Sequence, residues 1–404
     1  MQTEERIYVI DGLRGFSLFG ILIANFLIFQ YGIFGMENIV SSELSFLDRA
    51  AYAFTKVFVE GSFMPIFTFL FGYSFIIMRD RLTQKQLRVK WTLFRRSLLL
   101  IGIGLLHSTF LWEGDILMMY GGTGVLLLIF VNRKAMTTLI WAITISVILI
   151  AFSSLPVFID FEGLNEETLM TDGELAKQEL RFDDNAWEAY LEETNAVYAT
   201  GTYQEIKEHR KDADPLIDKF GKGKLAVVML LLPFVILPLF LFGMYAAKKG
   251  HFTEPRKQVK GYRRLFLITL PAGLGLKLIG FYFGDHASAE AANLIGGPVL
   301  AFGYISLFGL IYATGKSSLL LQGFEDIGKM SLTNYLLQTV ICTTIFYGYG
   351  FGLFGKIGIF YGIILSFLIY SAQMIGSTYY ISHFRYGPVE KLVRMGTYIS
   401  FKTR

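Results

Sequence analysis

An all-α bundle of about ten transmembrane helices, with both termini in the cytoplasm, is the fold this sequence predicts, and three observations predict it. Of 404 residues 53% are hydrophobic and only 17% charged, too little polar surface to cover a soluble globule. Apolar windows of roughly 20 residues, the length that crosses a bilayer as a helix, recur along the chain. Their centres fall near residues 20, 65, 102, 122, 147, 235, 273, 302, 339 and 369. The basic residues gather in two of the intervening loops. Between the second and third windows stand Arg79, Arg81, Lys85, Arg88, Lys90, Arg95 and Arg96, opposed by Asp80 alone. Between the sixth and seventh stand Lys248, Lys249, Arg256, Lys257, Lys260, Arg263 and Arg264, opposed by Glu254. Positive loops stay on the cytoplasmic side, and an even number of spans returns both termini there.

The first window, Tyr8 to Phe34, is too long for a secretory leader and is followed by no small-residue cleavage site, so it is expected to remain as a span. It carries Asp11, Arg14 and Asn25. A charge at such a position costs about 2.5–3.5 kcal/mol on insertion scales. Asp11 and Arg14 are at i,i+3, and the 11 residues from Arg14 to Asn25 make about three turns, so the three share one face. A snorkelling ion pair and a ligand site are the two readings of that face.

The second window contains Glu60, Gly61, Ser62 and Pro65. Small residues beside a proline predict a kinked, tightly packed interior helix. Glu60, four residues after Lys56, reads as a salt bridge or as the lining of a polar cavity with Ser62. The third window reaches His107, and the tight turn Trp112-Glu113-Gly114-Asp115 leads into the fourth. Asp115 would cap that helix, and Tyr120 would stand level with His107. A histidine oriented by a carboxylate suits acyl transfer, in which imidazole takes a proton from an attacking hydroxyl or amine. His209, His251, His286 and His383 fall in loops or tails, no pair has metal-ligand spacing, and Cys342 stands alone. No metal is expected.

One long polar segment, about Asp160 to Asp214, has sixteen acidic residues against five basic ones. Its aromatic and leucine residues recur at near-helical spacing. The expected organisation is therefore a single transmembrane domain over 1–404, with an outward-facing acidic amphipathic insertion over 158–222 and a cytoplasmic basic tail over 383–404. Asn334 and Gln338, at i,i+4 in the ninth window, read as hydrogen-bonding contacts to a neighbouring helix such as that of Arg14, or as pocket lining. Lys277, in the seventh, either pairs with Glu60 or snorkels outward. Gly387-Pro388-Val-Glu390 opens a tail that reads as a membrane-surface helix.

These residues carry a resemblance. Asp11-Gly-Leu-Arg14-Gly15, with Asn25 beyond it, resembles the opening motif of the transmembrane acyltransferase superfamily, which includes heparan-α-glucosaminide N-acetyltransferase, and Pro65-x-Phe67-x-Phe69-x-x-Gly72 is similar to a second segment of that enzyme. Further blocks resemble the YeiB-like bacterial membrane proteins, whose C-terminal region is known as domain of unknown function 418. They are Gly104-Leu-Leu-His107, Trp112 to Tyr120, Gly328 to Gln338, and Arg385-Tyr-Gly387-Pro388-Val-Glu390 with Arg394. The heparan enzyme places its histidine before its counterpart of the Pro65 segment, where this chain has none, so the role of His107 comes from the residue reading alone.

What the resemblance implies is a bacterial cytoplasmic-membrane acyltransferase using acyl-CoA as co-substrate. Arg14, helped by Arg95 or Arg96, would attract the donor phosphates. Asp11 would pair with Arg14, Asn25 would line the passage, His107 would act as base, and Asp115 or Tyr120 would orient it. The expected partners are membrane lipid and a small-molecule or glycan acceptor, with no nucleic acid, since topology explains the basic loops; self-association as a homodimer is left open. A transporter or lipid translocase is the other reading, because kinked spans with buried polar residues also make a substrate pathway.

Overall fold

The computed structural model describes residues 7–35, 44–158, 184–212, 215–284 and 287–399. Fifteen α-helices occupy them. The first eight are α1 (Tyr8–Tyr31), α2 (Phe46–Phe54), α3 (Phe63–Gln84), α4 (Val89–Phe110), α5 (Leu117–Leu127), α6 (Ala135–Phe158), α7 (Asp184–Thr200) and α8 (Tyr203–Asp212). The remainder are α9 (Pro215–Lys248), α10 (Val259–Tyr282), α11 (Ala287–Ala313), α12 (Leu319–Lys329), α13 (Ser331–Phe346), α14 (Ile359–His383) and α15 (Pro388–Tyr398). No strand occurs among the described residues.

Each expected window centre falls inside a helix. Seven stretches among the described residues are long and apolar enough to cross a membrane. The others expected fall short for physical reasons: α4 carries Arg95 and Arg96, α5 has 11 residues, and α13 has 16. Of the insertion expected over 158–222, residues 159–183 and 213–214 lie outside the described residues, as do 400–404 of the tail.

Burial sorts the helices. In α1, 67% of the most apolar window is buried, against 11% for 135–152 of α6, so α1 is the central post and α6 presents its apolar side outward. Around α1 pack α3, α12, α13 and α14; α4 and α5 form a hairpin beside them, and α10 pairs with α11 along their length. A glycine-lined close approach joins α1 and α12. A β-carbon at Gly15 would stand 2.0 Å from the Phe324 carbonyl oxygen, and one at Gly328 would stand 1.9 Å from that of Asp11, so only glycine permits this crossing. It brings Arg14 beside the α12–α13 junction.

The second window is broken, and not where the proline suggests. A π-helical turn, Thr55–Val59, runs on from α2 and ends at Glu60; Gly61 turns the chain with φ of 71°, and α3 begins at Phe63. Pro65 sits in the first turn of α3, where its missing N–H costs nothing. The sharp bend therefore belongs to Gly61, whose carbonyl oxygen would lie 2.3 Å from a β-carbon at Gly297.

Candidate functional site

Three features define the candidate site: a basic cleft, a passage leading from it, and a buried histidine cluster beyond. The cleft has a volume of about 760 Å³ and lies between the start of α1, the end of α3, α4 and α15. Its wall contains Arg14, Arg81, Lys85, Arg96, Arg385 and Arg394, opposed by Asp11 and Glu390, so the lining carries a net charge of +4. Arg14 is held in place from two sides. Its Nη1 donates to Asp11 Oδ1 at 3.2 Å, and its Nη2 donates to the Ser74 hydroxyl on α3. Arg394 lies over Tyr386 and Tyr398, at 4.8 and 5.1 Å from the ring centroids.

The tail helix is pinned into this cleft. Glu390 Oε1 accepts from the N–H groups of Leu332 and Thr333 at 2.7 and 3.0 Å, and Oε2 accepts from the Thr333 hydroxyl at 2.5 Å. A carboxylate from α15 thus satisfies the open N–H groups and the positive dipole end of α13. The tail, read from sequence as a membrane-surface helix, is corrected to a wall of the cleft.

A smaller cavity of about 160 Å³ shares Arg14, Phe71, Ser74, Arg96 and Glu390 with the cleft and runs on to Ile116, Leu117, Tyr120 and Tyr335. Behind Tyr335 lies His107. The two ring centroids are 5.5 Å apart. Nδ1 of His107 is 2.9 Å from Asp115 Oδ1, and Nε2 is 3.0 Å from the Thr339 hydroxyl. Asp115 Oδ2 accepts the Met118 N–H at 2.9 Å, so one carboxylate both caps the start of α5 and fixes the imidazole. In the tautomer that donates from Nδ1 to the Asp115 carboxylate, Nε2 accepts from Thr339. His107 and Thr339 are 2% and 1% exposed.

The residues singled out from sequence divide accordingly. Asp11, Arg14 and Arg96 line the cleft. Arg95 is not among the residues of either cavity, because the 100° step of the helix turns it from the direction of Arg96. Asn25 lies half-buried on α1 beyond the reach of both cavities. Tyr120 is corrected as an orienting group for His107. Its hydroxyl pairs with Thr68 Oγ1 on α3 at 2.6 Å. It lines the passage instead.

Asn334 and Gln338 belong to helix packing. Asn334 donates to the Ser377 hydroxyl and Gln338 to Gln373 Oε1, each at 2.9 Å, so their neighbour is α14 and not α1. Glu60 accepts from Lys56 Nζ at 3.0 Å, and Ser62 is buried in the break before α3; neither lines the cleft or the passage. Lys277 is buried and donates to Asn293 Oδ1, so it neither snorkels nor bonds directly to Glu60. Sequence reasoning passed over Thr339, Tyr335, Arg385 and Arg394 as site residues. The last two stand in the quoted tail block, but nothing in a linear pattern folds that block back onto α1.

At the opposite end of the α4–α5 hairpin, α7 and α8 close over the turn. Tyr198 donates to Glu113 Oε1 at 2.9 Å, Arg210 donates to Glu113 Oε2 at 3.2 Å and to the Leu111 carbonyl at 3.1 Å, and Tyr203 donates to the Phe110 carbonyl at 2.8 Å. Burial, with Glu113 beside it, raises the Tyr198 phenol far above its ordinary value, so it stays a donor. Among the described residues no group of His, Cys, Asp and Glu stands in position to hold a metal ion.

Fold and sequence define a multi-pass helical membrane protein. Within that class the chain belongs to the family described as "Protein of unknown function (DUF418)", whose sequence profile matches residues 246–400. It is similar to "Uncharacterized protein YxaH" of Bacillus subtilis (strain 168), with 33% identity over 99% of this chain and 96% of that one. It is also similar to "Uncharacterized 39.9 kDa protein in amylase 3'region" of Bacillus acidopullulyticus, at 26% identity over 98% and 94% of the two chains. "Uncharacterized protein YeiB" of Escherichia coli (strain K12) is 24% identical over 97% and 96%. No solved structure matches the chain.

Proposed function

We propose that the protein is an acyltransferase of the bacterial cytoplasmic membrane that takes an acyl group from a cytoplasmic acyl-CoA and passes it to an acceptor at the membrane or outer side. The observation that carries this reading is the continuity of a +4 cleft with a passage that ends at the wall in front of His107. Acyl-CoA has the matching form, with phosphates at one end and a slender arm ending in a thioester at the other. Arg14, Arg96, Arg385 and Arg394 take the phosphates as fixed guanidinium forks. The arm runs past Phe71 and Tyr120, and His107, oriented by Asp115, moves the proton. The basic loops support a cytoplasmic cleft, and with it a cytoplasmic donor.

The test is thiol release and transfer from radiolabelled acetyl-CoA by the purified protein in lipid nanodiscs. Saturable consumption of the thioester supports the reading. A folded protein that neither binds nor consumes any acyl-CoA across several chain lengths contradicts it and favours a translocase, for which the same cavities would be a permeation path.

A further inference from the structure

The side chain on the far side of His107 from Asp115 is a hydroxyl, and its geometry differs from that of the threonines that bond back along their own helix. Thr68, Thr123 and Thr397 each donate to the carbonyl four residues back at 2.9, 2.9 and 2.7 Å, the usual fate of a threonine hydroxyl in a helix. In Thr339 the corresponding distance, to the Tyr335 carbonyl, is 3.5 Å, whereas the His107 Nε2 stands at 3.0 Å. The hydroxyl oxygen therefore stands closer to the imidazole than to the carbonyl of its own helix. Asp115, itself fixed by the Met118 N–H, supplies the third member. Hydroxyl, imidazole and carboxylate in this order are the arrangement that activates an oxygen nucleophile.

We propose that Thr339 is a covalent carrier, holding the acyl group as an oxygen ester between the thioester donor and the final acceptor. The inference rests on the acyl-transfer reading above. In the first half, Thr339 Oγ1 attacks the thioester carbonyl while His107 Nε2 takes its proton. The Oγ1–C bond forms, the C–S bond breaks, and the proton passes from Nε2 to the departing sulfur, releasing free thiol. In the second half, the hydroxyl or amine of the acceptor gives its proton to Nε2 and attacks the ester carbon. The Oγ1–C bond then breaks and Thr339 recovers the proton. No redox partner is needed.

Access runs through Tyr335, one turn before Thr339 on α13. Its ring walls the passage, and its hydroxyl meets the Ile116 N–H at a long 3.4 Å. An acyl arm in the passage would reach Thr339 only on rotation of this side chain. The closed position keeps water from the ester, as a carrier requires.

The experiment incubates the nanodisc-embedded protein with acetyl-CoA and no acceptor, quenches in acid, and maps the acylated peptide by mass spectrometry. One acyl group on Thr339 is expected in the wild type, retained in Thr339→Ser and lost in Thr339→Val, which matches threonine in shape. His107→Gln should slow labelling by roughly 10²–10⁴-fold. Melting curves of the serine variant control for folding, since it keeps the bond to His107. Consumption of acetyl-CoA with no label on Thr339, or transfer that survives Thr339→Val, overturns the carrier and leaves the acyltransferase reading standing. A wild type that consumes no acyl-CoA overturns both.

Discussion

The two ends of the α4–α5 hairpin are built from the same kinds of residue to opposite effect. At the basic end, six cations line open space and two carboxylates offset only part of their charge. At the other end, Glu113, Arg210 and Tyr198 are spent on one another, and the turn is covered. A net excess of one charge facing a cavity attracts a ligand, whereas balanced charge in a covered turn holds a segment down. The histidine cluster lies between, reached from the basic end. The contrast teaches that the direction of entry is written in where one sign of charge is in excess.

The largest effect to look for is sidedness. Cys342, the chain's single cysteine, is buried, so introduced cysteines report without background. Exposed Lys85→Cys and Lys257→Cys should resist an impermeant thiol reagent in intact cells, and Glu192→Cys should react. Reversed labelling would exchange the roles of the two ends.

Next is His107→Gln, which is expected to lower acyl transfer about 10²–10⁴-fold while melting near the wild type, because glutamine keeps a hydrogen bond. Near-normal transfer by the folded variant would reduce the cluster to a packing feature. Glu113→Ala should act on the other end alone. Breaking a buried pair costs roughly 3–5 kcal/mol; with Glu113 28% exposed, about 2–3 kcal/mol is expected. Hydrogen exchange over residues 184–212 should rise with the acyl-CoA affinity unchanged. A parallel loss of affinity would show that the ends are coupled.

The smallest effect concerns pH. Burial holds the His209 imidazole below its ordinary value, against the pull of Glu193 and Glu113. The undocked segment therefore takes up the proton more readily than the docked one. Docking of α8 is at full strength above about pH 6.5, the ordinary histidine value, and weakens as pH falls toward the lower docked value. Exchange over α8 should increase from pH 7 to pH 5, and His209→Gln should flatten that dependence.

Much of this was legible in the sequence. Windows of apolar residues placed every expected helix, and charge inside the first of them pointed to Arg14. The His107–Asp115 pair followed from one tight turn, since both members lie within eight residues. What periodicity could not give is which helix faces which. Thr339 is 232 positions from His107, and a threonine in an apolar span has no signature of its own. The tail was misjudged for the same reason: its amphipathic pattern fits a membrane surface, and only the long-range bonds of Glu390 to the start of α13 fold it over the cleft. Pro65 misled because a proline in the first turn of a helix and one in its middle look alike in a linear pattern.

The most direct test of donor entry at the basic cleft is a calorimetric titration of the nanodisc-embedded protein with acetyl-CoA, wild type against Arg14→Lys. Lysine retains the charge but not the fork that reaches Asp11 and Ser74 together. The account predicts saturable binding to the wild type, weakened about tenfold or more in the variant, the loss of one charge-assisted hydrogen bond. Equal affinity of the two proteins, or no heat from the wild type, would contradict it.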